Sequence, residues 1–216
     1  MIRTTVRRVA VAAGNASVFL LTASLFGAVF FLAQFLQTSL GFGPLSAGLR
    51  LMPWTATLFI VAPIAGSLVN RVGERPLIAG GLLLQAIGMA WIGLIASPSL
   101  DYVDMVPALV VAGTGVSMAI PATQNVVMSA VPASEAGKAS GTYNMLRQLG
   151  GVFGIALLVA VFAGAGGYAS PQAFSDGFAP AIGVTAALAL IGALAGLALP
   201  GVARRPLAVA AAEAAR

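Results

Sequence analysis

The chain has 216 residues, 59% of them hydrophobic and 8% charged, with a formal net charge of +5. Soluble domains carry about 25% charged residues, so a chain with a mean hydropathy of +0.99 cannot cover itself with a polar surface in water. This excludes a soluble globular enzyme and a disordered tail, and makes lipid the solvent for most of the surface. Cysteine and histidine are both absent. Disulfides, Cys/His metal sites, thiol nucleophiles and imidazole acid–base chemistry are therefore unavailable, and neither a metal nor a cofactor is expected. The basic residues of so apolar a chain encode orientation rather than nucleic-acid binding.

In chain order, a basic segment over 1–13, with Arg3, Arg7 and Arg8, precedes an apolar run over about 15–37. A signal peptide has a shorter apolar region of about 7–15 residues followed by a small-residue cleavage site. This run is longer and ends Gln34-Phe-Leu-Gln37-Thr, so a retained span is expected. Further runs cover about 49–69, 76–97, 104–130, 141–165 and 178–200, with a polar, Ala-rich tail over 201–216. Each can supply the roughly 20 apolar residues of a spanning helix. Strands of a barrel would alternate over about 10 residues instead. The predicted fold is an all-α integral membrane bundle of six transmembrane helices.

Charge sets the orientation. With the N-terminus in the cytoplasm, Arg50 alone among the basic residues falls outside and Arg147 falls inside the fifth span; all the others fall on the cytoplasmic side. The positive-inside rule then places both termini in the cytoplasm of a bacterial cell, with the chain multi-pass in the inner membrane. Pro53 and Pro63 in the second span and Pro121 in the fourth are expected to bend their helices, which a protein or wet environment tolerates. Gly150/Gly154 and Gly192/Gly196 have the GxxxG spacing that lets helices approach closely. Pro44-Leu-Ser-Ala-Gly48 and Pro132-Ala-Ser-Glu-Ala-Gly137 echo one another, as two three-helix repeats would require.

The most informative local motif joins spans two and three: Gly66-Ser-Leu-Val-Asn70-Arg71-Val-Gly73-Glu74-Arg75-Pro76. Asn70 can cap a helix, and Arg71 and Arg75 can pair with acids or helix C-termini on moving neighbours, a cytoplasmic gating loop. A plain positive-inside loop with a turn glycine is the competing interpretation. The segment resembles the cytoplasmic loop signature of the major facilitator superfamily, G-x-L-x-D-R-x-G-R-[RK], with Asn70 at the Asp position and Glu74 at the first basic position. That matches the degenerate copy found in C-terminal halves. Phe35 to Pro53 is similar to the stretch after the first helix of the C-terminal half of fourteen-helix drug:proton antiporters. Gly137-Lys-Ala-Ser-Gly141-Thr-Tyr-Asn144-Met-Leu-Arg147-Gln148 and its continuation to Gly154 resemble their penultimate helix.

The resemblance, from about residue 14 to about 200, implies the C-terminal six-helix half of a proton-coupled multidrug efflux transporter. It implies a missing N-terminal half, or a second copy, as partner, and a hydrophobic or cationic small molecule as substrate. All six acids lie in loops, at span ends or in the tail, whereas proton relays use intramembrane ionisable groups; coupling is expected in a partner half. Substrate-path candidates are the polar residues within spans: Gln34 and Gln37, Gln124 and Asn125 after Pro121, and Asn144, Arg147 and Gln148 on one face of the fifth span. Such amides also glue helices together, and Arg147 can also snorkel to the interface. Trp54, Trp91 and Tyr102 are expected as interface anchors. The alternative to a transporter half is a non-transporting membrane protein that assembles with or regulates a full-length transporter.

Overall fold

The structure is a computed structural model, described over residues 2–129 and 131–199. The side chains of residues 2–11, Asn70 and Ala133, and the predicted tail over 201–216, lie outside that description. Every regular element among the described residues is helical, and six stretches are long and apolar enough to cross a bilayer. Only helices and closed barrels satisfy their backbone groups within lipid, so the chain is an all-α, multi-pass membrane bundle.

Helix α1 (Ile2–Thr38) ends where Gly41 takes φ 71°. The short α2 (Pro44–Arg50) breaks at Leu51 into α3 (Met52–Val72). Gly73, at φ 94°, then reverses the chain into α4 (Glu74–Ile95), a backbone conformation open to glycine without steric cost. Helix α5 (Tyr102–Ser129) follows, then a 3₁₀ turn (Ala133–Glu135), α6 (Ala136–Ala165) and α7 (Pro171–Leu197). Ser170 caps α7 by accepting from the Ala173 amide at 3.1 Å. Three helices begin well before their apolar runs, at Ile2, Ala136 and Pro171. Hydropathy marks only the part of a helix that meets lipid, while the hydrogen-bond ladder continues into the polar flanks.

The span over 44–69 breaks at Leu51, two residues before Pro53, which then occupies the first turn of α3. There its missing N–H costs nothing and its φ suits helix entry. Pro63 and Pro121 lie inside α3 and α5, joined by Pro107 and Pro180 inside α5 and α7.

The packing partners repeat. Helix α4 lies against α5 as α7 lies against α1, and α3 lies against α5 as α6 lies against α1. Exchanging the first three spans with the last three leaves this pattern unchanged, with corresponding spans running in opposite directions, as in inverted repeats. The echoing segments at Pro44 and Pro132 thus both lead into flanking spans, α3 and α6, through a short helical turn.

Lipid tails are as apolar as leucine, so these helices associate through close packing and hydrogen bonds rather than hydrophobic burial. At the α1–α6 contact a β-carbon on Gly154 would collide with the Ala23 carbonyl, and one on Gly150 with that of Phe19. Gly81 and Gly115 bring α4 and α5 together in the same way. Phe31, Phe35, Phe162, Phe174 and Phe178 fill the core toward one end, with Phe35 and Phe178 stacked at 4.3 Å between centroids. Tyr102 donates to the Arg50 carbonyl at 2.9 Å, and Ser39 shares a 3.1 Å hydrogen bond with Ser175, tying that end together. We call it the acidic end, for Asp101, Asp104 and Asp176; the basic end carries Arg71, Arg75 and Lys138.

One polar node lies wholly inside. Gln85 of α4, fully buried, donates through Nε2 to Ser24 Oγ at 2.8 Å, and Ser24 donates to the Thr185 carbonyl of α7 at 2.8 Å. Gln85 Oε1 has no partner. Ser24→Ala strands the Gln85 amide in the core and is expected to destabilise the bundle by about 1–3 kcal/mol. Gln85→Leu removes both ends of the mismatch and is expected to cost less. Thermal unfolding of both variants in mild detergent checks that order.

Candidate functional site: an apolar groove flanked by polar faces

Helices α1 and α5 meet across the pseudo-twofold, with α4 and α7 packed behind them and α3 and α6 on the flanks. The flanking helices are the least covered. Only 22% of the spanning residues of the α2–α3 stretch and 28% of those of α6 are buried, against 44–56% for the other spans.

Between α1, α3 and α5 runs an apolar groove enclosing about 110 Å³, lined by Leu25, Val29, Trp54, Leu58, Val116 and Ile120 among others. Its depth follows from small residues on α5. Gly113 leaves space for the Trp54 ring, and Ser117 turns its hydroxyl back to the Gly113 carbonyl at 2.7 Å. Thr55 likewise donates to the Leu51 carbonyl at 3.3 Å. With the hydroxyls so engaged, the groove offers dispersion contacts and few polar partners.

Trp54 was expected as an interface anchor. At 5% exposure it is instead a core residue of the groove wall, because the break at Leu51 carries the start of α3 inward against Gly113. Trp91, at 42% exposure, does stand outward. The phenylalanines of α1 divide: Phe31 and Phe35 are core, Phe26 and Phe30 exposed.

The polar candidates of the sequence do not converge on one pocket. Gln34, toward the acidic end, accepts from the Tyr168 hydroxyl, while its Nε2 is buried without a partner. Gln37 is exposed and donates to its own helix at the Ala33 carbonyl, 3.0 Å. Near the basic end Gln124 is exposed, whereas Asn125 donates to Glu74 Oε1 at 2.8 Å. This contact accounts for Glu74 in the loop motif. The acid sits in the first turn of α4, where the helix dipole favours negative charge, and fastens the loop to α5. Gly66 is half-buried on α3, Arg71 and Arg75 are exposed, and Gly73 provides the turn.

Asn144, Arg147 and Gln148 do share one face of α6, and all three are exposed. Asn144 donates to the Ser140 carbonyl at 3.1 Å, and the Arg147 guanidinium lies 6.0 Å from the Tyr143 ring centroid. A neighbouring face, with Ala139, Tyr143, Gly150 and Gly154, packs inward. The helix therefore turns Gly150, Gly151 and Gly154 to the bundle and leaves its amides and guanidinium exposed. The sequence reading missed the node of Ser24, Gln85 and Thr185. Its one signal was Gln85, a lone amide in a long apolar run.

A lipid-embedded bundle of two inverted three-helix units, with a groove at the meeting of its central helices, has the architecture of a membrane transporter rather than an enzyme. Residues 3–155 match the Major Facilitator Superfamily, and the chain belongs to that family. It is similar to the multidrug resistance protein Stp of Mycobacterium tuberculosis, 35% identical over 140 residues, which cover 65% of this chain and 26% of that protein. It is also similar to the tetracenomycin C resistance and export protein of Streptomyces glaucescens, 30% identical over 185 residues (85% of this chain, 34% of that protein). A third relative is the multidrug efflux pump LfrA of Mycolicibacterium smegmatis, 32% identical over 148 residues (67% and 28%). The matched regions amount to about a quarter to a third of these relatives' lengths.

Proposed function

We propose that this bundle is one half of an efflux transporter for small apolar or cationic molecules, paired with a second six-helix bundle. The observation that carries the reading is the outward polar face of α6. Arg147 stands about 16 Å from the start of a 30-residue helix, with Asn144 and Gln148 beside it. An arginine at the centre of a lipid-facing helix costs roughly 2.5–3.5 kcal/mol, and that cost disappears where protein or a wet cavity covers it. A partner bundle on this face also closes the groove between α1, α3 and α5 into a cavity between two halves. Alternating access then follows as rocking of one bundle against the other. The relatives named for drug resistance and export support small-molecule efflux as the activity.

Proton coupling, on this reading, belongs to the partner. Among the described residues, the acids lie in loops, at helix starts or in the second turn of α7, and Glu74 is engaged by Asn125. The basic end faces the cytoplasm of the bacterial cell, by the positive-inside rule.

The absence of cysteine makes the test direct. A single cysteine at Gln148, labelled in native membranes with benzophenone maleimide and irradiated so that the ketone inserts into a neighbouring C–H bond, is expected to yield a larger cross-linked species. A cysteine at Leu94 of α4, 87% exposed, is expected to yield none. In cells stripped of other pumps, the chain with its cross-linked partner is expected to lower accumulation of a fluorescent hydrophobic cation, and Leu58→Asp in the groove to abolish that effect. Equal cross-linking at both positions, or unchanged accumulation, contradicts the reading.

A further inference from the structure

A second cavity lies at the basic end, where α1, α5 and α6 meet. It encloses about 270 Å³ and is lined by Asn15, Val127, Val131, Glu135, Lys138, Ala139 and Thr142. Under the exchange that relates the repeats, it is the counterpart of the apolar groove: α1, α5 and α6 here, α1, α5 and α3 there. The two differ in chemistry. The groove is almost wholly apolar, whereas this pocket presents an amide, a hydroxyl, an ammonium and a carboxylate around valine and alanine walls.

Two features show what it can hold. Asn15 Oδ1 is buried and accepts no hydrogen bond, a state that costs about 1–3 kcal/mol until a donor arrives. Lys138 is exposed and has no ion-pair partner among the described residues, while Glu135 already has an interaction of its own. The pocket also borders the N-terminal turn of α6, whose dipole adds positive potential. Lys138 is the cation the pocket offers, beside a donor-seeking oxygen and an apolar wall, with the Glu135 carboxylate also in the lining. The volume approaches the lower end of the range of ligand pockets, about 300–1,000 Å³, which suits a body of two rings.

We propose that this pocket binds amphipathic organic anions that also carry an N–H or O–H donor. The anion pairs with Lys138, the donor reaches Asn15 Oδ1, and the apolar body lies on Val127, Val131 and Ala139. Since α1 and α5 also line the apolar groove, the pocket is an entry site at the cytoplasmic mouth. That last step rests on the efflux reading above; the binding itself does not.

The test uses the full chain in lipid nanodiscs with 8-anilinonaphthalene-1-sulfonate, which combines a sulfonate, an N–H and two aromatic units, with empty nanodiscs as background. Saturable binding is expected. Lys138→Gln and Asn15→Leu are each expected to weaken it about tenfold, and Lys138→Arg to leave it within about threefold. Val72→Glu makes the same net charge change as Lys138→Gln at the same end, outside the pocket, and is expected to leave affinity unchanged. N-phenyl-1-naphthylamine, which lacks the sulfonate, is expected to bind without regard to Lys138. Equal loss in Lys138→Gln and Val72→Glu, or no loss in either pocket variant, overturns the proposal. If the pocket variants lose the probe while cross-linking and efflux fail, the binding site stands and the efflux reading falls. If efflux holds while the pocket variants bind normally, only the entry site falls.

Discussion

A Gly154→Val chain is expected to lose most of its folded yield, and what is recovered is expected to melt about 6–12 °C lower. The substituted β-carbon would overlap the carbonyl and α-carbon of Ala23 across the α1–α6 contact. These are backbone atoms and cannot rotate away, so the two helices must separate. Overpacking costs about 1–3 kcal/mol, the upper end of about 3 kcal/mol applying where backbone meets backbone, and 1 kcal/mol moves the midpoint by about 2–4 °C in a chain of this size. The cost is compounded in lipid, where close van der Waals approach holds the helices together and water expulsion contributes nothing. Gly164→Val, on the same helix, meets nothing within 4 Å and is expected to leave the midpoint within about 2 °C. The pair separates packing from helix propensity, because glycine is lost in both. Equal melting of the two variants would show that α1 and α6 do not touch at Ala23.

The second large effect is a divergence of stability and assembly. The combined variant Asn144→Leu, Arg147→Leu, Gln148→Leu is expected to insert into membranes more readily, since exchanging the arginine alone for leucine is worth roughly 3 kcal/mol on insertion scales. The species cross-linked from Leu149→Cys, expected with the native face, is expected to disappear in the same variant, and reduction of drug accumulation with it. If these residues merely decorated a lipid-facing surface, the substitution would improve insertion and leave assembly untouched. If they served the internal packing of this bundle, it would lower the melting midpoint. A helix face that is unfavourable in lipid and required for assembly fits only a face covered by a partner. Gel-filtration of the variant, cross-linking from Leu149→Cys and thermal melting together distinguish these outcomes.

Much of this protein is legible in its composition. Apolar runs of the length of a bilayer fix the number of spans, because the thickness of the hydrocarbon leaves little freedom. The distribution of arginine carries an expected direction, because moving positive charge across the membrane is costly. The loop from Gly66 to Pro76 and the helix from Gly137 to Gly154 carry enough fixed chemistry, in a reversing glycine and glycines at close approach, for the family to be read from them. The separation of packed Gly150 and Gly154 from exposed Asn144, Arg147 and Gln148 is likewise a matter of spacing along a single helix.

What spacing within one helix cannot give is which helix faces which. Trp54 reads as an interface anchor until the break at Leu51 turns it against Gly113 of α5. Asn125 reads as part of a substrate path, yet it holds Glu74, a residue 51 positions away. The Gln85 node joins three helices through single hydrogen bonds that no local pattern announces. The pocket holding Asn15 and Lys138 assembles from three separate spans. The sequence by itself determined the solvent, the number of the helices and the family, because these are set by the energetics of each segment against lipid. Only the tertiary structure decided where the groove, the polar node and the pocket lie, because each is formed by residues brought together across helix contacts.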